Sequence, residues 1–85
     1  MITKDKAYEI ISDLNEQAHQ LAWDHWIKAD EADDEDLREE ASDIQRAHFK
    51  ELMDFLSDED YNAIMYYRRE DEQFKDDFDC WYGSD

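Results

Sequence analysis

The fold is decided by residues 4–29, which read KDKAYEIISDLNEQAHQLAWDHWIKA. Apolar or weakly polar side chains recur every three or four positions in this stretch, as on one face of an α-helix. This face consists of Ala7, Ile11, Leu14, Ala18, Leu21 and His25, widened by Ile10 and Ala22. Thr3 is suited to be the N-cap, and Asp5 suits the positive end of the helix dipole. The pattern predicts a first helix from about Lys4 to Ala29.

A second apolar stripe follows an acidic connection at residues 30–36, which read DEADDED. Asp33 or Asp34 is expected to be the N-cap of this second helix, because Asp is favoured at N-caps and disfavoured in helix interiors. The stripe consists of Leu37, Ala41, Ile44, His48, Leu52 and Phe55, broadened by Phe49 and Leu56.

A third helix is expected after Ser57, because the sequence SDED at residues 57–60 resembles a capping box. Its apolar spacing continues towards Gly83, which is expected to end it, and a break near residue 70 is left open. The chain has no proline, no valine, one threonine and one glycine, so several of the residues that favour strands and sharp turns are absent or rare. The prediction is an all-α, small three-helix bundle: a helical hairpin plus a C-terminal helix, forming one domain over residues 1–85.

The charge balance excludes several functions. The chain has 26 Asp and Glu against 9 Lys and Arg, a net charge of −17. Direct nucleic-acid binding requires a basic surface, which this composition does not provide. The sequence contains no apolar run long enough to span a membrane and only one cysteine, so we expect neither a membrane protein nor a disulfide scaffold. The expected location is the cytoplasm, of the cell of origin or of an infected host.

Catalysis and metal binding are not expected. The sequence has no glycine-rich phosphate loop and no nucleophile beside an evident base, and three short helices rarely enclose a cavity of about 300 Å3. Glu16-x-x-His19 has the spacing of a metal motif, but in its nearest repeat, Gln45-x-x-His48, glutamine replaces glutamate. We therefore predict no enzyme activity, no metal and no cofactor. Three other residues that could in principle take part in catalysis or bind a metal are instead expected in the core or at its boundary: His25, His48 and Cys80.

Carboxylates dominate the remaining helix faces. They recur at helical spacing on the first helix (Asp5, Glu9, Asp13, Glu16) and on the second (Asp36, Glu40, Asp43, Glu51, Asp54). Ordinary solvated faces intersperse Lys and Arg with such acids, and these faces largely do not. Carboxylates four residues apart advance about 6 Å along a helix, whereas one DNA strand carries a phosphate every 3.4 Å or so. Two helices packed about 8–10 Å apart would present parallel rows.

Trp23, Ile27 and Tyr66 are candidate contact residues. On a helical wheel, Trp23 and Ile27 project among the acids and away from the apolar stripe. Two interpretations are open: the third helix covers these side chains, or they form an exposed apolar island of the kind found at interface centres.

In size, charge, helical pattern and aromatic residues among acids, the whole chain resembles the DNA-mimic inhibitors, small acidic proteins that are often encoded by phages or plasmids. The resemblance implies a non-enzymatic inhibitor that occupies the basic DNA- or RNA-binding surface of a restriction, CRISPR, repair or nucleoid protein. It involves no family motif, so it identifies no target. One alternative is an acidic adaptor, antitoxin or immunity-type protein that binds one basic partner through an apolar helix face. Another is a homodimer in which Trp23 and Ile27 pair across a two-fold axis.

Overall fold

The computed structural model describes residues 1–83, which contain five α-helices and no strand. The helices are α1 (Lys4–Leu21), α2 (Trp23–Ala32), α3 (Glu35–Asp54), α4 (Asp58–Glu70) and α5 (Glu72–Tyr82). The all-α prediction is confirmed. The three-helix bundle is coarser than the observed architecture, because the first and third predicted helices are each divided in two.

Local capping signals in the sequence correctly located three helix starts. The Thr3 hydroxyl accepts a hydrogen bond from a backbone N–H of the first turn of α1 at 3.2 Å. The Asp34 carboxylate does the same for α3 at 2.9 Å, and the Ser57 hydroxyl for α4 at 3.3 Å. Gly83 follows the last residue of α5 with a φ of 81°, a left-handed value that glycine adopts without strain.

The predicted helix from Lys4 to Ala29 is interrupted at Ala22, where φ is −96° and ψ is 7°. The Ala22 N–H bonds to the carbonyls of both Ala18 and His19, so the last turn of α1 tightens before α2 begins. The third predicted helix is interrupted at Asp71, close to the break left open at residue 70. The Asp71 backbone is extended, and its carboxylate caps α5.

The hydrophobic core lies at one end of the molecule. It is formed by α1, the C-terminal half of α3, α4 and α5. The Phe49 and Phe78 rings meet edge to face at 5.9 Å, and Phe78 stacks on Tyr82 at 5.1 Å. The buried cluster comprises Ala7, Ile11, Leu14, Ala18, Phe49, Met53, Ile64, Phe74 and Phe78.

The other end of the molecule is a pair of helices, which we call the helical arm: α2 together with residues 35–44 of α3. α2 packs mainly on α3 and supplies no residue to the buried core cluster. Ala29 and Ala41 are fully buried in the arm, and such small side chains allow two helix backbones to approach closely. The molecule is therefore elongated, measuring 45 × 23 × 20 Å.

The helical arm explains why two positions of the first predicted apolar stripe, Leu21 and His25, are not buried, although Ala22 of the same stripe is. Leu21 is 57% exposed and His25 is also exposed, because the helices that cover this face of α1 do not extend along α2. The inward side of α2 is instead formed by Trp26 and Ala29, which face α3. An apolar stripe predicts burial only where another element covers it.

Two other predicted core positions are also exposed. Phe55 forms the C-cap of α3 and is 87% exposed, whereas Met53, which was not in the predicted stripe, is buried. Cys80 is exposed on α5. His48 lies at the core boundary, as expected, with its side chain 32% exposed. Among the described helices, none combines the length and the apolar character needed to cross a membrane.

Candidate functional site

Four carboxylates form an exposed row on α1, which we call the α1 row: Asp5, Glu9, Asp13 and Glu16. At 100° per residue they cluster on the side of α1 opposite its buried residues. Within residues 1–83, only Glu9 has a basic nitrogen within 4.0 Å, the Lys6 amine at 3.9 Å. The other three carboxylates are free to interact with an external cation.

Five exposed carboxylates form a second row, which we call the α3 row: Asp36, Glu40, Asp43, Glu51 and Asp54. Arg46 approaches Asp43 at 3.5 Å, and the His48 ring approaches Glu51 at 3.7 Å. The remaining three have no basic nitrogen within 4.0 Å among the described residues. All nine carboxylates singled out in the sequence are thus at the surface.

The two rows do not run side by side. Helices α1 and α3 meet through Asn15 and Gln45, whose amides are hydrogen-bonded at 3.1 Å. At 100° per residue, Gln45 lies roughly 160° around α3 from the mean direction of its row, and Asn15 roughly 115° around α1 from the other. Each row therefore points away from the opposite helix. The parallel arrangement expected from the sequence is wrong. The faces of α1 and α3 that contact each other at Asn15 and Gln45, which we call the seam, are not the faces that bear the rows.

Little of the negative charge is neutralised internally. Residues 1–83 contain 25 of the chain's carboxylates, and 17 of these have no Lys, Arg, His or N-terminal nitrogen within 4.0 Å. Those that do are Glu9, Asp30, Asp33, Asp43, Glu51, Glu59, Asp71 and Asp79. Carboxylates occur on all five helices, so the negative field surrounds the molecule.

A polar network around Gln45 joins α1, α2 and α3. The Gln45 side-chain oxygen accepts hydrogen bonds from the Trp26 indole N–H at 2.9 Å and from His19 Nδ1 at 3.1 Å, and the Gln45 amide donates to Asn15. From the sequence, Gln45 was considered only as the residue that replaces glutamate in a repeat of the Glu16-x-x-His19 spacing. Its role depends on the register between α3 and α1, which spacing along one helix does not reveal. No group of three or more His, Cys, Asp or Glu within residues 1–83 is arranged to hold a metal ion.

Trp23 and Ile27 are exposed, by 52% and 37%, so the C-terminal helices do not cover them. The Trp23 ring meets the His19 ring edge to face at 5.5 Å. An open groove of about 490 Å3 lies beside it, lined by Glu16, His19, Gln20 and Trp23. We call this the Trp23 groove.

Tyr66 is 39% exposed but lies far from the Trp23 groove. The neighbouring Tyr67 donates a hydrogen bond to the Ile2 carbonyl, which places this part of α4 at the N-terminal end of α1. Trp23 follows Ile2 by roughly 30 Å of helix at 1.5 Å per residue. The structure therefore does not combine Tyr66 with Trp23 and Ile27 in a single contact patch.

A second open groove, of about 530 Å3, lies between α1 and α5. Here the Lys4 amine binds the Asp71 carboxylate at 2.8 Å, and the Tyr8 hydroxyl donates to Asp77 at 2.9 Å. The hydrogen bond to Lys4, together with one from the Phe74 N–H, lowers the pKa of Asp71, and the same ion pair raises the pKa of Lys4. Both grooves exceed the 300 Å3 expected as a limit for so small a bundle, because they are surface depressions between helices and not enclosed cavities.

Comparison with known proteins gave no match: no family model, no curated protein and no solved structure matches this chain. Charge, shape and exposed aromatic side chains are therefore the observations that bear on function.

Proposed function

We propose that this protein is a non-enzymatic inhibitor that mimics the phosphate charge of nucleic acid and occupies the basic DNA- or RNA-binding surface of a target protein. The target would be a restriction, CRISPR, repair or nucleoid protein. The observation that carries the proposal is the set of 17 carboxylates without a basic partner within residues 1–83. Self-repulsion among them destabilises the fold, so a binding role gives a reason for their retention.

The linear charge density supports the comparison with a duplex. Without Asp85, the chain has a net charge of −16 along a molecule 45 Å long, or about one charge per 2.8 Å. B-DNA carries one charge per 1.7 Å of axis or so, counting both strands. The protein therefore reaches roughly 60% of the axial charge density of a duplex. Its cross-section of 23 × 20 Å is close to that of a duplex as well.

The divergence of the two rows has a consequence for the target. The strands of a duplex also expose phosphates on opposite sides, so a cleft that surrounds DNA would contact the α1 row and the α3 row together. A flat basic surface would contact only one of them. Long-range attraction would speed association, and the exposed side chains of Trp23 and Ile27 would add the desolvated contact that discriminates among basic proteins.

The exposed Trp23 side chain also supports a second candidate function. A protein that needed only charge would have no use for a Trp side chain that is 52% exposed. An acidic adaptor, antitoxin or immunity-type protein would use Trp23 and Ile27 as the main contact, with the charge serving orientation and association rate.

Capture of partners from a cell lysate tests the proposal. The protein is immobilised at low salt, bound proteins are eluted with increasing salt, and the eluate is identified by mass spectrometry. Nucleic-acid-binding proteins are expected to dominate it. An eluate without such proteins would contradict the proposal.

Two variants of equal net charge sharpen this test. In the first, four amides replace the α1 row (D5N, E9Q, D13N, E16Q). In the control, four amides replace exposed carboxylates of α4 and α5 (E59Q, E70Q, E72Q, D76N). Mimicry predicts that the first variant binds a captured target at least tenfold more weakly than the control does. The adaptor function predicts slower association with nearly unchanged equilibrium affinity.

A further inference from the structure

We infer that the Trp23 groove is the anchor point for an arginine side chain of the basic partner. This inference rests on the proposed function, since it assumes a basic protein partner and specifies which chemical group that partner presents. It also assigns distinct tasks to the two parts of the surface: the rows attract the partner, and the groove fixes its position.

The groove is lined by both an aromatic ring and a carboxylate. Glu16 lies on α1 and Trp23 is the first residue of α2, and both side chains line the groove. His19 and Gln20 line the groove with them, and the space is about 490 Å3. A planar cation that enters it would have the Trp23 ring and the Glu16 carboxylate available in the same groove.

The Trp23 ring is held in place by other side chains, and the Glu16 carboxylate has no cationic partner among the described residues. The Trp23 ring packs edge to face on His19 at 5.5 Å, and His19 Nδ1 is hydrogen-bonded to Gln45 on α3 at 3.1 Å. This chain of contacts ties the ring to the seam between the helices. Within residues 1–83, Glu16 has no basic nitrogen within 4.0 Å, so no described side chain competes for its carboxylate.

This pairing of groups selects a guanidinium. The flat guanidinium of arginine stacks on an indole face and donates two parallel hydrogen bonds to a carboxylate. A lysine ammonium is a compact, strongly hydrated charge that has neither property. Ile27, 37% exposed and one turn beyond Trp23, provides an apolar surface for the methylene stem of such a side chain or for its neighbour.

Charge complementarity identifies the occupant as a basic protein and not a second copy of this chain. Two further carboxylates close to the lining residues in the sequence are exposed: Asp13, three residues before Glu16, and Asp24, next to Trp23. Two chains with a net charge of −17 each repel one another, whereas a positively charged partner is attracted to the same position.

Short peptides test the inference directly. Blocked tetra-arginine and tetra-lysine peptides are titrated into the protein, and binding is followed by NMR through the indole N–H of Trp23. We expect the arginine peptide to bind at least fivefold more tightly than the lysine peptide. For W23L and E16Q, followed through backbone amides, this ratio should fall below twofold. It should persist in the control Y61L, which removes an exposed aromatic residue of α4.

Several outcomes would overturn the inference: equal affinity for the two peptides, or a preference for arginine that persists in both W23L and E16Q. If W23L lost its helical circular dichroism, E16Q alone would decide, since Glu16 is exposed and makes no ion pair with a described residue. Light scattering that showed a dimer dissociated by W23L would assign the groove to a second copy and also overturn it.

Failure of the proposed function is separable from failure of the inference. A preference for arginine, together with no competition between the protein and DNA for any captured target, would overturn the mimicry. It would support arginine binding in the Trp23 groove. Competition with DNA together with no preference for arginine would overturn the inference that the Trp23 groove binds arginine, and would support the mimicry.

Discussion

Replacement of Gln45 by alanine removes three hydrogen bonds from the seam between α1, α2 and α3 in a single change. The lost partners are the Trp26 indole N–H at 2.9 Å and the side chains of His19 and Asn15, both at 3.1 Å. All three contacts are partly buried, so water replaces them incompletely.

The expected magnitude follows from this count. A hydrogen bond contributes about 0.5–1.5 kcal/mol net, and a partner left unsatisfied in a buried site costs more. Three such bonds, allowing for partial access of water, give a loss of about 2–4 kcal/mol for Q45A. An 85-residue domain has a total stability of roughly 4–13 kcal/mol. The variant should therefore lose a large part of its margin, with a decrease in Tm of about 8 °C or more.

Urea unfolding followed by circular dichroism measures this loss, with two control variants. Q73A removes an exposed glutamine whose contacts to Asp77 are 3.5 Å long, and it should cost less than about 0.5 kcal/mol. Q45E keeps acceptor oxygens for Trp26 and His19 and should lie between the other two variants. Equal stabilities for Q45A and Q73A would refute the argument that this network fixes the helical arm to the rest of the molecule.

Three further predictions concern the charge, the core and one ion pair. Raising NaCl from 0.01 to 0.3 M should increase the free energy of unfolding by an amount on the order of 1 kcal/mol, because screening weakens the repulsion among unpaired carboxylates; no change, or a decrease, in urea unfolding would contradict this. F49A should destabilise the fold by about 3–5 kcal/mol, whereas F55A, at a position 87% exposed, should cost less than about 0.5 kcal/mol; similar losses in thermal unfolding would contradict the placement of the core. K4M should raise the pKa of Asp71 towards its ordinary value in an NMR titration, but not fully, since the hydrogen bond from the Phe74 N–H persists. Because the folded pKa of Asp71 is lowered, its stabilising contribution is present above the unfolded pKa and is lost as the pH falls through the folded value; an unchanged pKa in K4M would contradict the assigned cause.

The sequence contains the information for the helix ends because that information is local. Thr3, Asp34 and Ser57 cap the helices that follow them, and Gly83 ends the last one, each through groups within a few residues. The interruption at Ala22 has no such signal, because alanine is the best helix former.

The exposure of the carboxylates was predictable because it, too, depends on local spacing along one helix. Helical spacing alone placed the nine carboxylates outside, and the structure leaves all of them exposed. The relation between the two rows, the exposure of Leu21 and the role of Gln45 all depend on which helices pack together and in what register. Spacing within one helix contains no information about either property.

The most direct test of the central claim is competition with DNA for a captured target. A fluorescently labelled duplex is bound to that target at low salt, its anisotropy is recorded, and this protein is added. The account predicts that the duplex is released completely as the concentration of this protein is raised, that more protein is needed when more duplex is present, and that the four-amide variant of the α1 row releases much less at the same concentration. A complex in which the target holds both the duplex and this protein would contradict it.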